Sequence, residues 1–244
     1  MSSNKQEGPP NLLTAGFHSR GYLPHLKFEG KSYFVTFRLA DILPKSVLLQ
    51  LKREREQILQ NALARKRPLT WQEQEELFLW YSAKVDSYLD AGHGECFLND
   101  PKIAGLVADA LRFFEGERYE LRAWVVMPNH VHAVVWPKPS QTWSAILHSW
   151  KSFAATKANK ILGLTGEKFW QAEAYDHFIR NDEEMARCCA YAIQNPVKTG
   201  LCERAEDWRW SSDYRLAAGS HPNLQAEMPA LQAESALRSK GGAS

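Results

Sequence analysis

In the stretch MPNHVHAVVW, residues 127–136, His130 and His132 stand one residue apart inside an apolar run. Side chains two apart on an extended strand leave the same face, so this spacing sets the two imidazoles side by side, with Val134 and Trp136 in line. Such a pair can share one divalent metal ion, or it can be two histidines satisfied by hydrogen bonds in a half-buried sheet. Composition does not decide between them, since 8 His in 244 residues yield about 0.3 such triplets by chance. Further along, Tyr191 and Asn195 are four apart in a helical stretch, a spacing that brings a phenol and an amide oxygen onto one face unless Pro196 rotates Asn195 away. Two imidazoles and an amide make a three-ligand set, with coordination positions left open for a phosphate oxygen. Imidazoles suit zinc or manganese, whereas phosphoryl chemistry with an amide ligand suits magnesium or manganese. A tyrosine hydroxyl titrates near pH ~10, so it is a poor nucleophile at neutral pH unless its anion is stabilised or its proton removed. The sequence offers no identifiable base.

These residues need elements to hold them. SYFVTFRL alternates at period two and predicts a strand in which Tyr33, Val35, Phe37 and Leu39 oppose Phe34, Thr36 and Arg38. A charged helical pattern over about 46–90 reads as a helical hairpin inserted after that strand, broken at Lys66-Arg67-Pro68 and restarted by a Thr70–Glu73 capping box. Its basic cluster (Lys52, Arg53, Arg55, Arg65, Lys66, Arg67) is interleaved with Glu54 and Glu56 and reads as a solvated face. Asp100 as N-cap and Pro101 at the first helical position open a helix whose apolar stripe runs from Ile103 to Phe114. Residues 118–136 form a strand, a turn at Met127-Pro128-Asn129 and a second strand. A helix over about Trp143 to Leu162 buries Ile146, Leu147, Trp150 and Ala154. EAYDHFIR follows as a strand, then a helix capped by Asn181 that Pro196 bends or ends. Without the insertion the order is β-α-β-β-α-β, an α+β, ferredoxin-like four-stranded antiparallel sheet with packed helices and a C-terminal tyrosine-bearing helix.

The composition sets bounds on function. Net charge is +2, too mild to establish nucleic-acid binding, so any basic surface is local. Between 148 and 168 there are four Lys against one acid, and Lys151 and Lys157 of this stretch, supported by Arg180, are the candidate phosphate contacts. The first ten residues are polar and no apolar run approaches the roughly 18 residues of a membrane span, so a cytoplasmic location without membrane contact is expected. Four Cys without C-x-x-C spacing read as free thiols, and nine Trp as core packing first and base stacking second. A flexible N-terminus over 1–13, one domain over 14–216 and a flexible or weakly helical tail over 217–244 complete the expected organisation.

The segments MPNHVH, WKSFAATKANKILG, FWQAEAYDHFIRNDEE, YAIQNPVKTGL and WRWSS stand in an order that resembles the REP-associated tyrosine transposases, part of the single-tyrosine HUH transposase superfamily. The resemblance implies a ferredoxin-like fold and metal-dependent cleavage and rejoining of single-stranded DNA at palindromic repeat hairpins. It assigns His130 and His132 to the metal with Mg2+ or Mn2+ as cofactor, Tyr191 to the nucleophile of a 5′-phosphotyrosine intermediate and Asn195 to the third ligand. The partner it implies is hairpin-forming single-stranded DNA, met by a monomer or a homodimer. Ala192 stands where the family has a bulky aliphatic residue, Gln194 offers a competing amide, and the 46–90 insertion exceeds the minimal fold. Two rival functions use the same residues: a non-catalytic single-stranded nucleic-acid-binding module derived from such an enzyme, and a hydrolase with a water nucleophile. Retention of both His, the Tyr and the Asn argues against the first.

Overall fold

The computed structural model describes residues 30–40, 84–90, 93–172 and 174–215, with isolated positions among 18–25 and 46–60. Four strands form one antiparallel sheet: β1 Tyr33–Arg38, β2 Tyr119–Val126, β3 His130–Pro137 and β4 Tyr175–Phe178, in the spatial order β2-β3-β1-β4. With helix α1 (Pro101–Arg112) between β1 and β2 and helix α2 (Trp143–Leu162) between β3 and β4, this is the split β-α-β-β-α-β arrangement expected from the sequence. Helix α3 (Asp182–Lys198) follows β4. His18–Ser19 also pairs with Pro24–His25, a contact that no sequence pattern announced.

Local chemistry fixes the helix ends. Asp100 accepts from the Lys102 N–H at 2.8 Å, Thr142 from Ala145 at 3.3 Å and Asn181 from Glu184 at 2.8 Å, each satisfying a donor that the first turn leaves open. Gly163 closes α2 at φ 71°, a left-handed conformation that side chains with a Cβ resist. Pro196 does not end α3, which runs on to Lys198. A proline there deletes one N–H in the last turn, and Thr199 restores closure by donating to the Asn195 carbonyl through both its N–H and its hydroxyl.

All six residues of β1 are buried. Its odd-numbered residues face the layer containing α2, where Tyr33 stacks on Trp143 and Phe37 packs against Trp150. Its even-numbered residues face α3, with Phe34 against Tyr191. The sheet is therefore covered on both sides, and period-two alternation here separates two interiors instead of core from solvent. Segment 208–214 covers the outer edge of β2: Ser211 bridges Val125, Val126 N–H donates to Trp210 and Ser212 N–H to Trp124. The described tryptophans follow the packing reading, since Trp124, Trp143, Trp150 and Trp170 are buried and Trp136, Trp208 and Trp210 half-buried. All four cysteines are free.

The insertion is helical at its described positions 46, 47, 49, 50, 53, 54, 57 and 60 and again over 84–90. Val85 and Leu89 join the main core, and Lys84 pairs with Glu54. The capping box at Thr70–Glu73, the 1–13 N-terminus and the 217–244 tail lie outside the described residues. Among those that are described, no helix is long and apolar enough to cross a membrane.

Beneath the sheet, the buried Tyr119 hydroxyl donates to the Leu111 carbonyl at 2.7 Å and accepts from Trp150 Nε1 at 2.8 Å, joining β2, α1 and α2. Tyr119→Phe removes the partner of both groups while keeping the ring. It is expected to lower unfolding free energy by about 1–3 kcal/mol in urea titration; unchanged stability would contradict the assigned network.

Candidate active site

The turn at 127–129 and strand β3 aim two imidazoles at one point. His130 and His132 are 1% and 0% exposed, and their Nε2 atoms approach to 3.0 Å. Their outer nitrogens are held separately: His130 Nδ1 lies 2.7 Å from Asn129 Oδ1 and His132 Nδ1 lies 2.8 Å from Thr36 Oγ1. Asn129 spends its amide N–H groups on the carbonyls of Leu89 and His93, so its oxygen faces His130 and must accept from it. His130 therefore carries its proton on Nδ1 and presents a lone pair at Nε2. His132 Nε2–H donates to that lone pair, and its Nδ1 accepts from the Thr36 hydroxyl. Rotation of this hydroxyl lets Thr36 accept instead, moving the His132 proton to Nδ1 and turning both Nε2 lone pairs toward the same point.

Electrostatics keep both rings neutral. Burial, aided by His132, Arg38 and Lys198, pushes His130 well below the usual histidine range, and burial with Lys198 pushes His132 down to about 3. Neutral imidazoles are the form that ligates metal.

Helix α3 supplies the other two residues. The Tyr191 ring packs edge-on against His132 with centroids 5.3 Å apart and against Phe34 at 5.7 Å. Asn195, one turn on, is 1% exposed, and neither Oδ1 nor Nδ2 has a hydrogen-bond partner among the described residues. A buried amide left this way costs about 1–3 kcal/mol and requires an explanation. Ligation through Oδ1 supplies one for the oxygen. Gln194, the competing amide, is exposed, and Ala192 is fully buried. Among the described residues no cluster of three His, Cys, Asp or Glu side chains could hold a metal, but two imidazoles plus an amide are a different donor set, and the paired Nε2 atoms, once the Thr36 hydroxyl turns and the His132 proton moves to Nδ1, fit a divalent ion together with the unpartnered Asn195 oxygen.

Sequence reasoning missed a carboxylate here. Tyr191 donates its hydroxyl hydrogen to Asp86 Oδ2 at 2.5 Å. Asp86 belongs to the helical segment 84–90, where it is one of two acids, with Asp90, in an amphipathic pattern and carries no signal of its own. Thr36, Asn129 and the 3% exposed Arg38, whose Nε donates to Gln171 Oε1, were likewise not singled out as site residues. Thr36, as a polar residue amid aromatic strand neighbours, was the one visible hint.

The candidate phosphate contacts are already engaged within the chain. Lys151 Nζ donates to the carbonyls of Gln171 at 2.6 Å and Ala172 at 3.1 Å. Arg180 pairs with Glu184 through Nε and Nη2, and Lys157 lies 5.9 Å from the Phe153 ring. Glu184 is itself buried, and also meets His177 at 2.7 Å.

Two outcomes follow from this geometry. Burial works to raise the Glu184 carboxyl, but the hydrogen bonds from Arg180 and His177 outweigh it and hold the group down at about 2. Its contribution is thus complete above its ordinary value of 4.5 and lost as pH falls toward about 2. Wild type should lose more stability than Glu184→Gln over that window in denaturant titrations; parallel losses would contradict the pairing. Asn129→Ala frees the His130 tautomer and should weaken Mn2+ binding roughly 10–100-fold by calorimetry, with equal affinity as the contrary result.

Residues 109–195, which include both histidines, Tyr191 and Asn195, match the family model described as "Transposase IS200 like". The REP-associated tyrosine transposase of Escherichia coli (strain K12) is 30% identical over 111 residues, 43% of this chain and 61% of that protein. A relative from Haemophilus influenzae is 27% identical over 106 residues, 40% of this chain and 60% of its own length. The chain thus spans about three fifths of the length of these curated relatives. A solved structure of a REP-associated tyrosine transposase bound to a REP hairpin aligns with 85% of this chain and 98% of its own at 17% identity and a TM-score of 0.41, too loose a likeness to bear on the site. The likeness read from the motifs is shown by the sequence matches: over residues 109–195 the chain resembles the IS200-like transposases, and among its relatives are the REP-associated tyrosine transposases.

Proposed function

We propose that this protein is a transposase that cleaves and rejoins single-stranded DNA at repeat hairpins through a phosphotyrosine link on Tyr191. The observation that carries this reading is the contact between Tyr191 and the paired imidazoles, the ring lying 5.3 Å from that of His132. A nucleophile and a candidate metal site are in van der Waals reach of each other. His130, His132 and Asn195 would hold Mg2+ or Mn2+, which when bound supplies a positive charge to polarise the scissile phosphate.

The chain's own residues do the rest. Tyr191 attacks phosphorus and releases a 3′-hydroxyl, leaving the 5′-phosphate on the phenolic oxygen. The new bond conserves the energy of the phosphodiester, so a second 3′-hydroxyl can reverse the step and join new ends without ATP. Phe34 and His132 fix the ring between them, which limits the search for an in-line approach. Lys157 is the phosphate contact that gives up least of what it touches here; Lys151 and Arg180 serve only by exchanging carbonyl and carboxylate partners for phosphate.

The test uses single-stranded oligonucleotides taken from the DNA on either side of the gene and able to fold into hairpins, with Mg2+ or Mn2+. Wild type should form a species that survives denaturing electrophoresis, with the mass of protein plus the 3′-side fragment. Tyr191→Phe keeps the ring, so binding persists and the adduct disappears. Cut strands with no protein attached would mean a water nucleophile, and binding without any cut strand a binding module; either overturns the proposal.

A further inference from the structure

We infer that Asp86, carried to the site by the inserted segment, is the proton acceptor for Tyr191. This rests on the reading of Tyr191 as nucleophile and names the base that reading lacks. The bond it invokes is already made: the phenol hydrogen is donated to Asp86 Oδ2 at 2.5 Å. As the bond from the Tyr191 oxygen to phosphorus forms and that from phosphorus to the 3′-oxygen breaks, the phenol proton passes to the Asp86 carboxylate. The 3′-oxygen takes its proton from water, and Asp86 releases its own to the resulting hydroxide. In rejoining, the incoming 3′-hydroxyl loses its proton to solvent, Asp86 takes one up from solvent, and it passes that proton to the Tyr191 oxygen as the bond from that oxygen to phosphorus breaks.

The surroundings suit that task. Burial acts first to push the Tyr191 phenol above its ordinary value, and the Asp86 and Asp90 charges push it further. An ordinary phenol titrates at about pH 10, so at neutral pH the proton must leave as the oxygen attacks, and the group already hydrogen-bonded to that oxygen is Asp86. Asp86 is faced by Tyr191 and Lys198 from α3, by Arg38 from β1 and by Asp90 one turn along its own segment. Burial and Asp90 raise its carboxyl, and Tyr191, Lys198 and Arg38 oppose them, leaving it a stronger base than an exposed aspartate.

The segment is also fastened where a base would need it. Asp90 pairs with Lys198 at 2.7 Å, Asn129 donates to the Leu89 carbonyl at 3.0 Å, and Val85 and Leu89 are buried in the core. One tether is thus shared with the histidine motif itself, through Asn129. The insertion thereby gains a role at the site.

The experiment follows adduct formation in a single turnover, with the same hairpin oligonucleotide, for wild type, Tyr191→Phe, Asp86→Asn and Asp86→Ala. Asp86→Asn should slow the wild-type rate about 10²–10⁴-fold while hairpin affinity is unchanged. Its rate should lose the acid limb seen in wild type and rise with hydroxide concentration. Added formate should restore part of the rate to Asp86→Ala and none to Tyr191→Phe. Adduct formation by Asp86→Asn at or above the wild-type rate with an unchanged pH profile would make Asp86 a mere latch and overturn the inference while leaving Tyr191 as nucleophile. No adduct from wild type, or an undiminished adduct from Tyr191→Phe, would overturn the nucleophile reading itself and Asp86 with it. A variant that fails to fold is replaced by Asp86→Glu, whose retained carboxylate should keep the acid limb; its loss would count against the base.

Discussion

The 3.0 Å approach of His130 Nε2 to His132 Nε2 inside a solvent-free strand constrains everything around it. Two imidazoles that close cannot both be protonated away from water, so burial keeps them neutral and their lone pairs available. Neutral rings need fixed tautomers, and that requirement reaches outward. Asn129 must turn its oxygen to His130, which sends its amide to Leu89 and His93 and so anchors the inserted segment. Thr36 must stand opposite His132 across the sheet, which sets the register of β1 on β3. The site is thus assembled by backbone pairing as much as by its own side chains.

Desolvation acts twice, with opposite uses. It keeps the histidines neutral, the state that suits ligation, and it makes the Tyr191 phenol harder to ionise. The second effect alone would disable a nucleophile. Placing Asp86 on the phenol oxygen reconciles the two, because a half-buried carboxylate raised by its surroundings accepts a proton more readily than water does. The sheet tolerates this polar layer because its other face carries the apolar load through Trp143, Trp150, Phe37 and Leu111.

The order β-α-β-β-α-β, the cap residues Asp100 and Asn181 and the same-face placement of His130 with His132 were legible because they follow from periodicities of two and 3.6 and from local hydrogen bonding. The continuation of α3 through Pro196 was not, since the loss of one N–H is small beside the packing of that turn, where Asn195 and Pro196 are both buried. Arg180 read as a phosphate contact because sequence shows charge and not partners; Glu184, four residues away, holds it. Asp86 was illegible for a different reason: it meets Tyr191 from 105 residues away, and nothing in a helical charge pattern marks which acid turns inward.

The claim that the two imidazoles form a neutral, oppositely tautomeric pair ready to ligate is tested most directly by long-range proton–nitrogen NMR of the 15N-histidine-labelled protein at neutral pH, with and without saturating Mg2+. Without the ion, His130 should carry its proton on Nδ1 and His132 on Nε2, in keeping with their partners Asn129 and Thr36. With it, the His132 proton should move to Nδ1 while that of His130 stays. An imidazolium signal at either position, or spectra that Mg2+ leaves unchanged, would contradict it.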